Sequence, residues 1–521
     1  MTMNAIRLGI DFGTTRTVVA APDNGNYPVC TFSWMGEFKT YIPSLIGVDK
    51  GKLRFGWDAE QLLSRRNASV LRSIKRLLGR LHPDEPVEVG PGVSLPLIEL
   101  ITGFLAHTRR MILRHSNLSL NPNTPLEAMV AVPANANSNQ RYITLEAFRR
   151  AGFRVMGALN EPSAAAIEFL QRYLKYLSPK SPKKFAVVYD LGGGTFDTAV
   201  VGIADRGHAV LAHEGIAQLG GDDFDHAIFD MTLESCRVSA EDLDPAASVR
   251  LLEECRERKE GLNFNTRKMV VDPSTAIEGA DPVMIETNEL YERCVPLIQA
   301  SLDTVGALME RLDASRLGPA KGPGLASVYL VGGSVAFPPV ARKLREVYGI
   351  KVKTAPIPHA STAVGLAIAS DPGTGEHLAE TVSRHFGIWR ENGRDKVFDP
   401  IFHKENWVDP RTGRLQMTRR YHPMHNVGLL RYLECSALGA CGEPAGDITV
   451  WKDVYFPYDP ALADRKNLAG TRIQSRPDLS HQEVREIYSY DAQGIVQVEI
   501  ENCSAGYRRR FRLEPGDRAR A

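Results

Sequence analysis

Charge of one sign is what this sequence lacks first. Across 521 residues, 63 Lys and Arg face 62 Asp and Glu, for a formal net charge of +1. With no strong single-sign field, neither charge-driven nucleic-acid binding nor a polybasic membrane anchor is expected. Long apolar runs are missing too. The most apolar stretch, Val328 to Val340, is broken by Gly332, Gly333, Pro338 and Pro339, short of the ~20 residues a spanning helix needs. The opening segment, Met1 to Ile10, has no long apolar core, so no signal peptide is expected and the reading is cytoplasmic. Cysteine is scarce: seven, at 30, 236, 255, 294, 435, 441 and 503, with no Cys-x-x-Cys pair. That excludes a disulfide framework or a structural zinc site and fits reduced thiols. No Gly-x-x-x-x-Gly-Lys-Ser/Thr occurs, and no Gly-x-Gly-x-x-Gly follows the first strand, which argues against P-loop and dinucleotide folds.

What is present is an ordinary globular composition, 43% hydrophobic and 24% charged, at a length that suggests about three structural units. The first 370 residues alternate strand and helix signals. Ile6–Ile10, Val18–Ala20, Ala128–Val132, Phe185–Tyr189 and Val328–Val331 read as strands. From Asn137, Ile143, Ala147, Phe148 and Ala151 share one helical face, which Gly152 ends. Pro162 fits a first helical turn ahead of Ala164-Ala165-Ala166. This alternation implies α/β layers. A break at Asp371-Pro372-Gly373-Thr374-Gly375 introduces a strand-rich region. There Val496, Val498 and Ile500 alternate with polar residues after an Asp491-Ala492-Gln493-Gly494 turn. Tyr507, Arg509, Phe511 and Leu513 alternate with Arg508, Arg510 and Arg512, the arginines reading as a solvated face.

One internal repeat carries chemistry. Gly9-Ile10-Asp11-Phe12-Gly13-Thr14-Thr15 parallels Val188-Tyr189-Asp190-Leu191-Gly192-Gly193-Gly194-Thr195. Each is an apolar strand ending in Asp, then a glycine turn and a hydroxyl. Glycines let backbone N–H groups approach phosphate oxygens, hydroxyls add donors, and strand-end carboxylates can hold Mg²⁺ directly or through water. A single loop of this kind is usually structural; the pair suggests two related lobes facing one ligand.

These loops resemble the two phosphate loops of the DnaK-type (70 kDa heat-shock) chaperones. Asn160-Glu161-Pro162-Ser163, Ser73-Ile74-Lys75-Arg76, Leu219-Gly220-Gly221-Asp222-Asp223-Phe224-Asp225 and Leu330-Val331-Gly332-Gly333-Ser334 follow in family order. The resemblance implies an α/β actin-like ATPase (two ribonuclease-H-like lobes) over residues 1–370, a linker at 371–385, and a mainly-β, sandwich-like peptide-binding domain over 386–521. It implies ATP or ADP with Mg²⁺, K⁺ being a further candidate. Asp11 and Asp190 would hold Mg²⁺ through water. Gly13, Thr14, Thr15, Gly192, Gly193, Gly194, Gly220, Gly221, Lys259, Gly332, Gly333 and Ser334 would bind nucleotide. Lys75, Glu161, Asp197 and Thr195 would serve hydrolysis, Lys75 offsetting charge and the carboxylates orienting water.

The sequence departs from the family pattern at Arg16, Arg256, Val335-Ala336 and Gly157. The last loss, with an unrecognisable acidic-apolar linker, leaves J-domain and nucleotide-exchange co-chaperones open. In the C-terminal region only Tyr488–Val498 resembles the family, and the helical lid has no counterpart. The expected partners are therefore exposed polypeptide segments held by strand addition, or one dedicated protein partner of an ATP-switched scaffold. No nucleic-acid or membrane partner is expected. A small-molecule kinase of the same fold is the third reading.

Overall fold

The structure is a computed structural model. It describes residues 5–65, 69–173, 183–203, 208–313, 324–374, 378–379, 381–392, 395–404, 406–409, 412–491 and 493–512. The sequence expectations at Met1–Asn4, Gly375, Ala492 and Leu513 lie outside the described residues. The chain forms two compact units: one of residues up to 134 together with 143–378, the other of 135–142 together with residues from 379 onward.

The first unit is built on two mixed sheets that share one plan. In the first, Ile6–Phe12 runs parallel to Leu126–Val132 and antiparallel to Arg16–Ala20. Arg154–Asn160 and Ile42–Pro43 complete the order. In the second, Phe185–Leu191 runs parallel to Leu325–Val331 and antiparallel to Phe196–Gly202. Val352–Thr354 lies beyond Leu325–Val331, and His208–Ile216 and Leu378–Ala379 lie on the other side. Every residue of Phe185–Leu191 is buried, which is why it reads as an unbroken apolar run. The duplication seen in the sequence is thus a duplication of strand order, and both loop aspartates sit near the end of a central strand.

Small residues set how closely helices approach these sheets. Helix Glu161–Tyr173 crosses helix Ser361–Ser370 so tightly that a Cβ on Gly365 would lie 1.7 Å from the Ala164 carbonyl oxygen. A Cβ on Gly9 would come within 2.3 Å of the Ala363 carbonyl oxygen. The alanine run of the first helix is what this approach requires. In helix Ser138–Arg150 the residues Ile143, Ala147 and Phe148 are fully buried. Gly152, at φ +89°, ends it, and the Phe153 N–H donates to the Phe148 carbonyl at 3.1 Å, the closure of a Schellman motif.

The second unit carries two four-stranded antiparallel sheets. One has the order Asp395–Phe402, His385–Asn392, Tyr432–Leu438, Pro444–Val450; the other Leu415–Tyr421, Val484–Tyr490, Val496–Asn502, Tyr507–Arg512. Phe386, Ile388 and Tyr432 from the first share one core with Tyr488, Val498 and Ile500 from the second. Val496, Val498 and Ile500 point inward as their alternation requires. Asp491 anchors the turn, its carboxylate accepting from the Gln493 and Ile495 N–H groups at 2.9 Å each. Arg508 and Arg510 both reach Glu499 on the neighbouring strand. All seven cysteines are unpaired.

Candidate functional site

The two loops close on the same turn hydrogen bond. Gly13 N–H donates to the Arg16 carbonyl at 3.1 Å, and Gly192 N–H donates to the Thr195 carbonyl at 3.0 Å. Both loops line a cleft of about 260 Å³ within the first unit. Asp11, Gly13, Thr14, Thr15, Lys75, Glu161, Asp190, Gly192, Gly193, Thr195, Gly221, Lys259, Gly332, Gly333 and Ser334 all face it.

Three expected residues stand behind this wall. A Cβ on Gly194 would meet the Thr14 side chain at 2.7 Å, and one on Gly220 would meet the Gly193 backbone at 2.6 Å. These glycines let neighbouring loops pack. Asp197 is buried and accepts the Ala134 N–H at 2.9 Å.

The third glycine segment closes onto the second loop. Gly221 N–H donates to Gly192 O at 3.0 Å and Asp222 N–H to Gly193 O at 2.7 Å. Ser334 Oγ donates to Gly192 O at 2.8 Å. Lys259 Nζ donates to Gly221 O at 2.7 Å and pairs with Asp225 at 2.6 Å. At Gly332, φ is +85°, and a Cβ there would lie 2.6 Å from Asp190 Oδ1. Any larger residue would push into the carboxylate.

Charge in the cleft does not balance. Lys75 Nζ donates to Glu161 Oε1 at 2.5 Å, and both are buried. Burial opposes the Lys75 ammonium, but Glu161 and Asp11 override it and hold its pKa above the ordinary value. Burial, reinforced by Glu161 and only partly relieved by Lys75, pushes Asp11 up to about 7. Asp197 is pushed up to about 7 by burial and Glu161, against the stabilising Ala134 N–H and Thr195. Asp190 is raised well above the carboxylate range by burial, Glu161, Asp197 and Asp11. Four carboxylates thus share one ammonium. Among the described residues no three or more His, Cys, Asp or Glu side chains gather tightly enough to ligate one ion directly. Asp11 Oδ1 is buried with no hydrogen-bond partner. An orphaned acceptor beside uncompensated carboxylates and a glycine-lined wall fits a hydrated divalent cation with a polyphosphate.

Several residues not expected as site residues stand at the cleft or beside it. Arg76, next to Lys75, donates to Gly194 O at 3.0 Å and to Asp223 at 2.8 Å. Two of the departures from the family pattern meet at one carboxylate: Arg16 pairs with Glu260 at 2.6 Å and Arg256 with Glu260 at 3.6 Å. His359 and Thr362 enter from the turn and helix after Val352–Thr354.

The Hsp70 protein family model matches residues 119–382, just over half of the chain. The chain belongs to the Hsp70 family. Among curated relatives it is 30% identical to the chaperone protein DnaK of Mycoplasmopsis pulmonis over 367 residues, 70% of this chain and 58% of that protein. It is 30% identical to the chaperone protein HscA homolog of Azotobacter vinelandii over 383 residues (70% and 58%). The HscA homolog of Pseudomonas aeruginosa is 30% identical over 390 residues (72% and 59%). The aligned part thus spans somewhat under three-fifths of these Hsp70 relatives. Among the described residues no helix is long and apolar enough to cross a membrane.

Proposed function

We propose that this Hsp70-family chain is an ATP-dependent chaperone of the DnaK type. Residues 1–370 would be an actin-like nucleotide-binding domain of two ribonuclease-H-like lobes, 371–385 a linker, and 386–521 a sandwich-like polypeptide-binding domain. The observation that carries the reading is the arrival of two duplicated Asp-Gly-Thr loops and a buried Lys75–Glu161 pair at one cleft.

Bound Mg²⁺ would supply charge neutralisation on the phosphates; Asp11 and Asp190 are the residues suited to hold it through water. Backbone N–H groups of both loops, with Thr14 and Thr15, bind the phosphate chain. Lys75 offsets charge developing at the terminal phosphate and helps aim the attacking water. Glu161, which faces the cleft and fixes Lys75, and Asp197, held behind the wall by the Ala134 N–H, are the carboxylates suited to orient that water or accept its proton. Gly332, Gly333, Ser334 and Lys259 line the nucleoside side. Polypeptide would be held on the β-rich unit by strand addition and shallow pockets.

The test is ATP turnover by the purified chain alone, with unfolded polypeptides, and with small phosphoryl acceptors. Stimulation by many unfolded chains is the expected result. Stimulation by one protein only would make it a dedicated switch, and transfer to a small acceptor would make it a kinase.

A further inference from the structure

The second unit holds a groove of about 880 Å³. Ile388, Val427 and Leu430 give it a buried apolar floor, and Trp389, Met424 and Ile473 stand 40–47% exposed along it. Two of its lining strands, Asp395–Phe402 and Leu415–Tyr421, end the orders of their sheets, so among the described residues each has a strand neighbour on one side alone.

Charge around the groove lies in two layers. In the inner layer Asp399 accepts from Arg390 at 2.7 Å and Arg419 at 3.0 Å. Arg390 also reaches the fully buried Glu486 at 2.6 Å. Two guanidinium groups meet two carboxylates, and the layer closes neutral. The outer layer closes only with the help of acids that stand outside the groove. Lys396, Arg420 and Arg431 line the groove against Glu391. Arg420 and Arg431 are 60% and 63% exposed, and pair with Glu483 at 2.7 Å and Asp453 at 3.4 Å. Neither acid lines the groove. Exposed pairs of this kind are worth up to about 1 kcal/mol and exchange readily.

We infer that this groove selects extended polypeptide segments in which apolar side chains alternate with Asp or Glu. The inference rests on the polypeptide-binding reading above and adds the substrate's charge class. Apolar side chains would cover Trp389 and Met424, while acidic ones would take the places of Glu483 and Asp453 on the two arginines. A basic segment would instead meet Lys396, Arg420 and Arg431 with like charge. The unpaired strand edges and the neutral inner layer fit a peptide backbone better than a nucleic-acid strand.

The experiment uses the full chain and three labelled peptides with a common apolar core and Glu, Gln or Lys flanks, read by fluorescence anisotropy. The Glu-flanked peptide is expected to bind about tenfold tighter than the Lys-flanked one at low salt, the gap narrowing as ionic strength rises. Arg420→Glu with Arg431→Glu should collapse or invert the order, with a thermal melt reporting that the fold is kept. Glu483→Gln with Asp453→Asn, which frees both guanidinium groups, should tighten the Glu-flanked peptide several-fold. Equal affinities, a preference for Lys flanks, or displacement by a single-stranded oligonucleotide would overturn the inference. Binding of none of the three peptides would overturn the polypeptide-binding reading beneath it, so the two failures are distinct.

Discussion

The cleft and the groove handle charge in opposite ways. At the cleft, Asp11, Glu161 and Asp190, with Asp197 behind the wall, share the Lys75 ammonium; burial raises the three aspartates, and Asp11 Oδ1 is left unpartnered. Beneath the groove, the buried Glu486 has Arg390, Tyr421 and Tyr488 as partners, and the rim carries Arg420 and Arg431 in exposed pairs. Buried groups with unmet needs call for a ligand that brings charge; satisfied groups build a frame and leave recognition to the rim. On the proposed readings, the cleft is a site that a cation and an anion would complete together, and the groove one that surface complementarity would complete.

The largest effect that would break this contrast comes from Lys75. Lys75→Ala removes the only ammonium among those carboxylates. Turnover should fall by about two orders of magnitude or more, while nucleotide affinity changes only a few-fold. Denaturant unfolding should show a loss of about 3–5 kcal/mol, because Glu161 is left buried and unpaired. An unchanged rate would remove Lys75 from the mechanism. Asp11→Asn should act in the opposite sense on stability. The apo chain should be as stable or more so, since a buried charge is gone, while Mg²⁺-dependent nucleotide affinity should drop at least tenfold by calorimetry. Equal affinity would count against the assigned metal residue.

A packing change sharpens the comparison from another side. Gly365→Ala forces a Cβ toward the Ala164 carbonyl and should cost about 1–3 kcal/mol or more in a denaturant titration. On the β-rich unit, Glu499→Gln loosens exposed pairs with Arg508 and Arg510 and should cost no more than about 1 kcal/mol.

The pH dependence follows from the same excess. Asp11 and Asp197 bind protons more tightly folded, near 7, than at their ordinary 3.8. The nucleotide-free chain should therefore lose stability as pH rises from about 4 to about 7, and Asp190, raised as well, adds to the loss. Nucleotide binding with Mg²⁺ should release protons below about pH 7. Calorimetry in buffers of different ionisation enthalpy reads that release directly, and none at pH 6.5 would contradict the charge account.

Much of the cleft was legible because its logic is local. Asp11 with Gly13, or Asp190 with Gly192, is a strand end and a turn, and spacing alone describes it. Strand positions around Ala128–Val132 and Val328–Val331 were legible for the same reason. What escaped is contact made at long range by unremarkable residues. Arg16 reaches Glu260 from 244 positions away, and His359 arrives on a turn with no motif. The sequence also could not separate a residue facing the cleft from one behind it, as with Gly194, Gly220 and Asp197. In the β-rich unit, alternation exposed the strands, but Trp389, Met424 and Arg431 line one groove only through sheet packing, and no spacing announces them.

The most direct test is isothermal titration of ATP into the full chain with and without Mg²⁺. The account predicts one saturable binding event per chain that strengthens when Mg²⁺ is present and weakens in Asp11→Asn. No heat of binding under either condition, or binding indifferent to both Mg²⁺ and Asp11, would contradict it.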